Sequence, residues 1–89
     1  MLRPKEGVRF RKDLKRMRKR SKDIEKLKAI VQLLADEKPL SSRNRDHALV
    51  GDYEGFRECH IEPDWLLIYC VEGEDLVLAR TGSHSDLFE

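Results

Sequence analysis

Two periodicities divide the chain. Apolar positions recur every three or four residues up to Pro39, and alternate from residue 55 onward. Phe10, Leu14 and Met17 fall at the four-then-three spacing of one helical face, while Arg9, Arg11, Lys12, Lys15, Arg16, Arg18, Lys19 and Arg20 cover the remainder. This predicts a basic amphipathic helix. Ile24, Leu27, Val31 and Leu34, widened by Ile30 and Leu33, form a second stripe that Pro39 stops. Ser21 can cap this second helix, with Asp23 and Glu25 in its positive first turn, although Ile24 stands where a capping box would place Glu. A break of only 20 to 22 between the stripes predicts an antiparallel helical hairpin.

After Pro39 comes a polar, turn-rich connection, SSRNRDHALVGDYEG. Residues 55–61, 65–71 and 75–81 then alternate as strands, separated by the turn sequences Glu62-Pro63-Asp64 and Glu72-Gly73-Glu74. Links this short force antiparallel neighbours, so the three form a meander whose most apolar strand, the middle one, is expected at the centre under the hairpin. A further strand at 2–7 would be confined by Pro4 to an edge or an end. The expectation is an α+β domain, the hairpin lying on one face of a mainly antiparallel sheet.

Eighty-nine residues are enough for one domain, taken as 1–89, and a composition 39% hydrophobic and 39% charged leaves only a small core. No window is apolar for the eighteen or so residues of a membrane span, and the opening MLRPKEGVRFRK lacks the apolar stretch of a secretory signal. A soluble, cytoplasmic protein without a membrane partner is expected. In that setting Cys59 and Cys70 are expected to stay reduced and buried. The formal charge of +1 conceals a polarised molecule: residues 1–28 hold thirteen Lys and Arg against four acids, and residues 29–89 hold five against thirteen. A basic half of that density attracts a phosphate backbone, although Lys and Arg also simply solvate helix faces.

The stretch RECHIEPDW sets Glu58, His60, Glu62 and Asp64 at alternate positions beside an apolar strand. Three histidines each have an acid within two residues: His47 with Asp46, His60 with Glu58, His84 with Asp86. The first and third strands of a meander end on the same side, so His60 and the segment leading to His84 can converge. Metal binding is not expected, because Cys59 and His60 point to opposite faces and no Cys-x-x-Cys or His-x-x-x-His spacing occurs. No cofactor is expected. RNA cleavage needs no metal if a base takes the 2′-hydroxyl proton, an acid protonates the departing 5′-oxygen and a cation stabilises the phosphorane, and imidazole suits either proton role. Arg80 is a fitting bidentate phosphate clamp. Asp64 either orients a histidine or caps the turn after Pro63.

DHALVGDYEGFRECHIEPDWLLIY, followed by LARTGSHSDLF, resembles the YafQ branch of the RelE/ParE toxin superfamily across essentially the whole chain. The resemblance implies a RelE-like small domain and a ribosome-dependent mRNA endoribonuclease, with the 70S ribosome and mRNA as partners and a cognate antitoxin that silences it. It places His47, His60, Asp64 and His84 at the catalytic positions, and Glu58, Arg80 and Phe88 beside the substrate, on a face left uncovered for the codon. Glu58 stands where an aspartate is often found. The basic helix residues from Arg9 to Arg20 would dock on ribosomal RNA. Two other readings of this fold remain at the sequence level: a ParE-like gyrase inhibitor that performs no catalysis, and a plain RNA-binding module.

Overall fold

The alternating half of the chain forms the meander that its short turns require. In a computed structural model that describes residues 1–88, strands β1 Arg3–Glu6, β2 His47–Ala48, β3 Arg57–Glu62, β4 Trp65–Glu72 and β5 Asp75–Gly82 build one sheet in the order β1-β5-β4-β3-β2. Only β1 runs parallel to its neighbour, β5. The apolar middle strand β4 is central, and β1, with its proline, is an edge strand as expected. Gly73, at φ 59, makes the tight turn between β4 and β5.

Helices α1 Val8–Lys19 and α2 Ile24–Ala35 confirm the hairpin. Phe10, Leu14 and Met17 of α1 and Leu27 of α2 pack with Cys59, Trp65, Leu67, Tyr69, Leu76 and Leu78 into the main core. Trp65 is fully buried, and its indole N–H donates to Thr81 Oγ1 at 2.9 Å, so it is a core residue. Both cysteines are free and buried. Burial pushes the Cys59 thiol up to about 12, leaving it an inert apolar group.

The helix boundaries differ from the sequence expectation in one respect. Ser21 is not the cap of α2; it sits at φ 60 and ends α1, with its N–H donating to Arg18 O and that of Lys22 to Met17 O. Asp23 caps α2 instead, accepting from the Glu25 N–H at 3.1 Å. Four short elements lie where the sequence predicted none: in the connection the two-residue strand β2 and two single-turn 3-10 helices, Ser42–Asn44 and Gly51–Tyr53, and after β5 a short helix, α3 His84–Phe88. Among the described residues no helix is long and apolar enough to cross a membrane.

Candidate active site

Register places the site. His47 pairs with Glu58, Glu58 with Ile68 and Ile68 with Arg80, one row across four strands. The next row runs from His60 through Leu66 to Gly82. These rows face away from the hairpin, since alternate strand residues take opposite sides. The face is not left open, as the sequence reading supposed: Leu66, Ile68 and Leu87 of α3 form a second buried cluster, edged by Leu49, Tyr53, Phe56 and Ala79.

Glu58 is the hub. It is 4% exposed, and its Oε1 lies 3.3 Å from His60 Nε2 and 3.9 Å from His47 Nε2. Each imidazole is oriented from behind, His60 Nδ1 by the Pro63 carbonyl at 3.2 Å and His47 Nδ1 by the Arg45 carbonyl at 2.6 Å. A ring nitrogen facing a carbonyl carries its hydrogen there, which turns Nε2 of both rings toward the one buried carboxylate of Glu58. Of the three acids near histidines in sequence, only Glu58 faces an imidazole. Asp46 instead accepts from the Tyr69 hydroxyl at 2.6 Å and Arg57 Nε at 3.2 Å, which anchors the strand carrying His47.

His84 comes to the same end of the sheet through Asp64. The Asp64 carboxylate accepts from the His84 backbone N–H at 3.0 Å, so one turn residue holds the start of α3 while its neighbour Pro63 holds the His60 ring. Ser83 and Asp86 form a reciprocal cap on α3: Ser83 Oγ accepts from the Asp86 N–H at 3.2 Å, and Asp86 Oδ2 accepts from the Ser83 N–H at 2.9 Å. Gly82 permits this, because a Cβ there would lie 2.9 Å from Asp86 Oδ2. Asp86 also binds Arg20 at 2.6 and 3.0 Å and Arg16 at 3.5 Å. Arg20 foremost, then the Ser83 amide, holds the Asp86 carboxyl well below the usual carboxylate range despite the opposing effect of burial. Two of the basic residues expected to meet ribosomal RNA therefore tether α3.

Arg80 is the clearest departure. Its expected phosphate-clamping face is taken by Asp13, with Nε to Oδ2 at 2.6 Å and Nη2 to Oδ1 at 3.1 Å, and the side chain is buried. Beyond Leu78, β5 has no β1 partner, and the Thr81 N–H donates to Asp13 Oδ2 at 3.2 Å. Asp13 therefore closes the strand edge and neutralises Arg80 together. The Asp13 carboxylate raises the Arg80 pKa further, and a hydrogen bond with Tyr53 adds to this. Tyr53, absent from the sequence expectation, also contacts Phe88 edge-on at 5.7 Å, and Phe88 lies 5.0 Å from the His84 ring. Phe88 is 40% exposed on this aromatic rim.

The remaining basic residues of α1 lie elsewhere. Arg11, Lys12, Lys15 and Arg18 line a shallow groove of about 480 Å³ beside Glu6. Arg9, Lys12, Lys15, Arg18 and Lys19 form no ion pair among the described residues. Among the described residues no group of three His, Cys, Asp or Glu is arranged to hold a metal ion.

A helical pair packed on one face of a five-strand sheet, with a third short helix on the other, is consistent with the RelE-like fold. Residues 2–89 match the family described as the bacterial toxin of type II toxin–antitoxin systems, YafQ, and the chain belongs to that family. The mRNA interferase toxin YafQ of Escherichia coli K12 is 44% identical over 80 residues, covering 89% of this chain and 87% of the relative. A copper-bound mutant toxin from Helicobacter pylori superposes with a TM-score of 0.94 at 40% identity, covering 99% of this chain and 100% of that one. YafQ in the E. coli DinJ–YafQ complex superposes with a TM-score of 0.91 at 39% identity, with both chains fully covered.

Proposed function

We propose that this chain is an mRNA endoribonuclease that cuts within the ribosomal A site and is neutralised by a cognate antitoxin. The observation that carries the reading is one buried carboxylate, Glu58, facing the Nε2 atoms of two imidazoles, at the sheet end where Asp64 secures a third histidine. A gyrase blocker or a passive RNA binder has no need of prepositioned proton-transfer groups. The E. coli relatives are named mRNA interferase toxins, and one is seen with DinJ, which supports both the activity and a partner of antitoxin type.

In this reaction the Glu58–His60 pair takes the proton of the 2′-hydroxyl, and the 2′-oxygen bonds to phosphorus as the bond to the 5′-oxygen breaks. Glu58 offsets the positive charge formed on the imidazole, and His84 supplies the proton to the departing 5′-oxygen. His47 shares Glu58 and supports His60. Asp64 positions His84, and Phe88 offers a ring edge to a base. The unpaired basic residues of α1 dock on ribosomal RNA, away from the cut. The chain's own groups perform every proton transfer, so no metal ion is required.

The test is a cell-free translation mixture with a reporter mRNA mapped for breaks. Protein stripped with EDTA and dialysed before addition should cut inside codons, and only when ribosomes are present. Cuts on naked mRNA would remove the ribosome from the scheme. Activity that vanishes on stripping and returns with a transition metal would overturn the metal-free chemistry. Uncut mRNA throughout would reject the nuclease.

A further inference from the structure

Beside His60 the surface opens into a groove of about 930 Å³, lined by Ser41, Arg43, Asn44, Arg45, His60 and Pro63 together with Ile61 and Glu62. That volume lies in the roughly 300–1,000 Å³ range of sites that hold a small organic ligand. Its walls are fixed to the histidines. Asn44 Nδ2 donates to the His60 carbonyl at 2.7 Å, and the Arg45 carbonyl holds His47 Nδ1 at 2.6 Å. Arg45 itself sits at φ 45, ψ 46, a left-handed conformation unusual for a residue with a Cβ, which turns the chain sharply between these two anchors. Both Arg43 and Arg45 are exposed, and among the described residues neither guanidinium has a carboxylate partner.

The charge balance favours an anion. The one carboxylate of the lining, Glu62, is bound by Lys22 at 3.1 Å and Lys26 at 3.0 Å, and those ammonium groups, Lys26 foremost, hold it below its ordinary pKa. The two arginines are left uncompensated. Arg80, by contrast, has its bidentate edge committed to Asp13. The site thus needs another source of phosphate-binding cations, and this groove begins at the proton-transferring histidine.

We propose that the groove binds the single-stranded mRNA that flanks the scissile phosphate, with Arg43 and Arg45 each contacting a phosphodiester next to it. The inference rests on the nuclease reading for its choice of strand. Its chemistry, forked guanidinium groups lining a groove that starts at an imidazole, is that of phosphate-backbone recognition on a single strand. Glu62, neutralised from α2, lets the backbone approach without repulsion.

The probe is a short fluorescent RNA carrying 2′-deoxy sugars so that it cannot be cut, titrated by anisotropy across a range of KCl concentrations. Replacing both residues (Arg43→Gln, Arg45→Gln) should weaken binding roughly tenfold or more. The slope of log K against log salt should fall by about 1.4, the release of about two counterions from a single strand. The lysine pair (Arg43→Lys, Arg45→Lys) should keep most of the slope. Arg3→Gln with Lys5→Gln, on the opposite edge strand, should leave it unchanged. Equal affinity and slope in the wild type and the Gln pair would overturn the groove. So would translation-coupled cleavage by the Gln pair at the wild-type rate and half-saturating mRNA concentration, and in that event the nuclease reading survives. If the wild type binds the probe through these arginines yet never cuts mRNA, the groove stands and the nuclease reading falls.

Discussion

Strand β3 serves two faces that are held together by different forces. Cys59 and Ile61 face the helical hairpin, in a core ordered by apolar area: Phe10, Met17, Trp65, Leu67 and Leu76 are almost wholly buried there. Glu58 and His60 face the other way, under a five-residue helix and a loop that bury little more than Leu66, Ile68 and Leu87. Order on that side comes from directed polar contacts: Pro63 O and Asp64 on two histidines, Arg20 on Asp86, and Tyr69 on Asp46. Burial is proportional to area and indifferent to direction, whereas hydrogen bonds fix a ring to within a fraction of an ångström. The first face should therefore govern stability, and the second should govern rate.

Substitutions on the core face should have the largest effect. Trp65→Ala removes a fully buried ring and its bond to Thr81, and should cost about 3–5 kcal/mol in urea unfolding, a large share of what a domain of this size possesses. A loss below about 1 kcal/mol would mean that the hairpin face is not what holds the sheet. Asp13→Ala should cost a similar amount, about 3–5 kcal/mol, because it strands a buried guanidinium and an edge N–H. Replacing the pair together (Asp13→Leu, Arg80→Met) should recover most of that stability. If the paired variant also cleaves at the wild-type rate, Arg80 acts on the fold alone; a lost rate in a stable protein would show that its remaining nitrogen meets the phosphate.

On the site face, His60→Gln keeps an amide that can donate to Glu58 while removing the proton exchange. Single-turnover cleavage should drop about a hundredfold or more, equivalent to about 2.7 kcal/mol in the barrier, with the unfolding midpoint nearly unchanged. A variant that cuts normally would remove His60 from the chemistry. One that fails to fold would make Glu58–His60 a structural pair.

The regular elements were legible because their signals are periodic: both helices, the meander, the central place of β4 and the edge place of β1. The histidine cluster was legible in part, since strand alternation puts Glu58 and His60 on one face. The rest depended on contacts between distant segments. Asp13 carried a signal that the apolar spacing masked: it sits on the stripe of Phe10, Leu14 and Met17, where a carboxylate must find a cation, and that cation was Arg80. Ser83 and Asp86 likewise form the S-x-x-D pattern of a capped helix, overlooked in a segment of five residues. Strand β2, with two exposed residues, had no period to read, and Tyr53, Arg43 and Arg45 are marked only by what the fold brings near them.

The smallest effect belongs to the tether between the two halves, and its sign is fixed by linkage. Asp86 titrates at an ordinary value near 3.8 when unfolded and lower in the native protein, where Arg20 and Ser83 favour the carboxylate. The native state thus binds that proton less readily than the unfolded chain. The stability it contributes is complete above about pH 5 and is lost as the pH falls through 3.8 toward the depressed native value. Arg16 and Arg20 are 42% and 44% exposed, so water and salt screen the attraction and the total is small. Asp86→Asn should lower the melting temperature slightly at neutral pH, and should melt with a shallower dependence than the wild type between about pH 5 and 3. Parallel curves would show that α3 is held by Leu87 and the Asp64 contact to the His84 N–H, without help from the Asp86 charge. If the curves diverge while cleavage at neutral pH also slows, the basic helix pair reaches through Asp86 to set the position of His84, and the two faces are coupled at that one carboxylate.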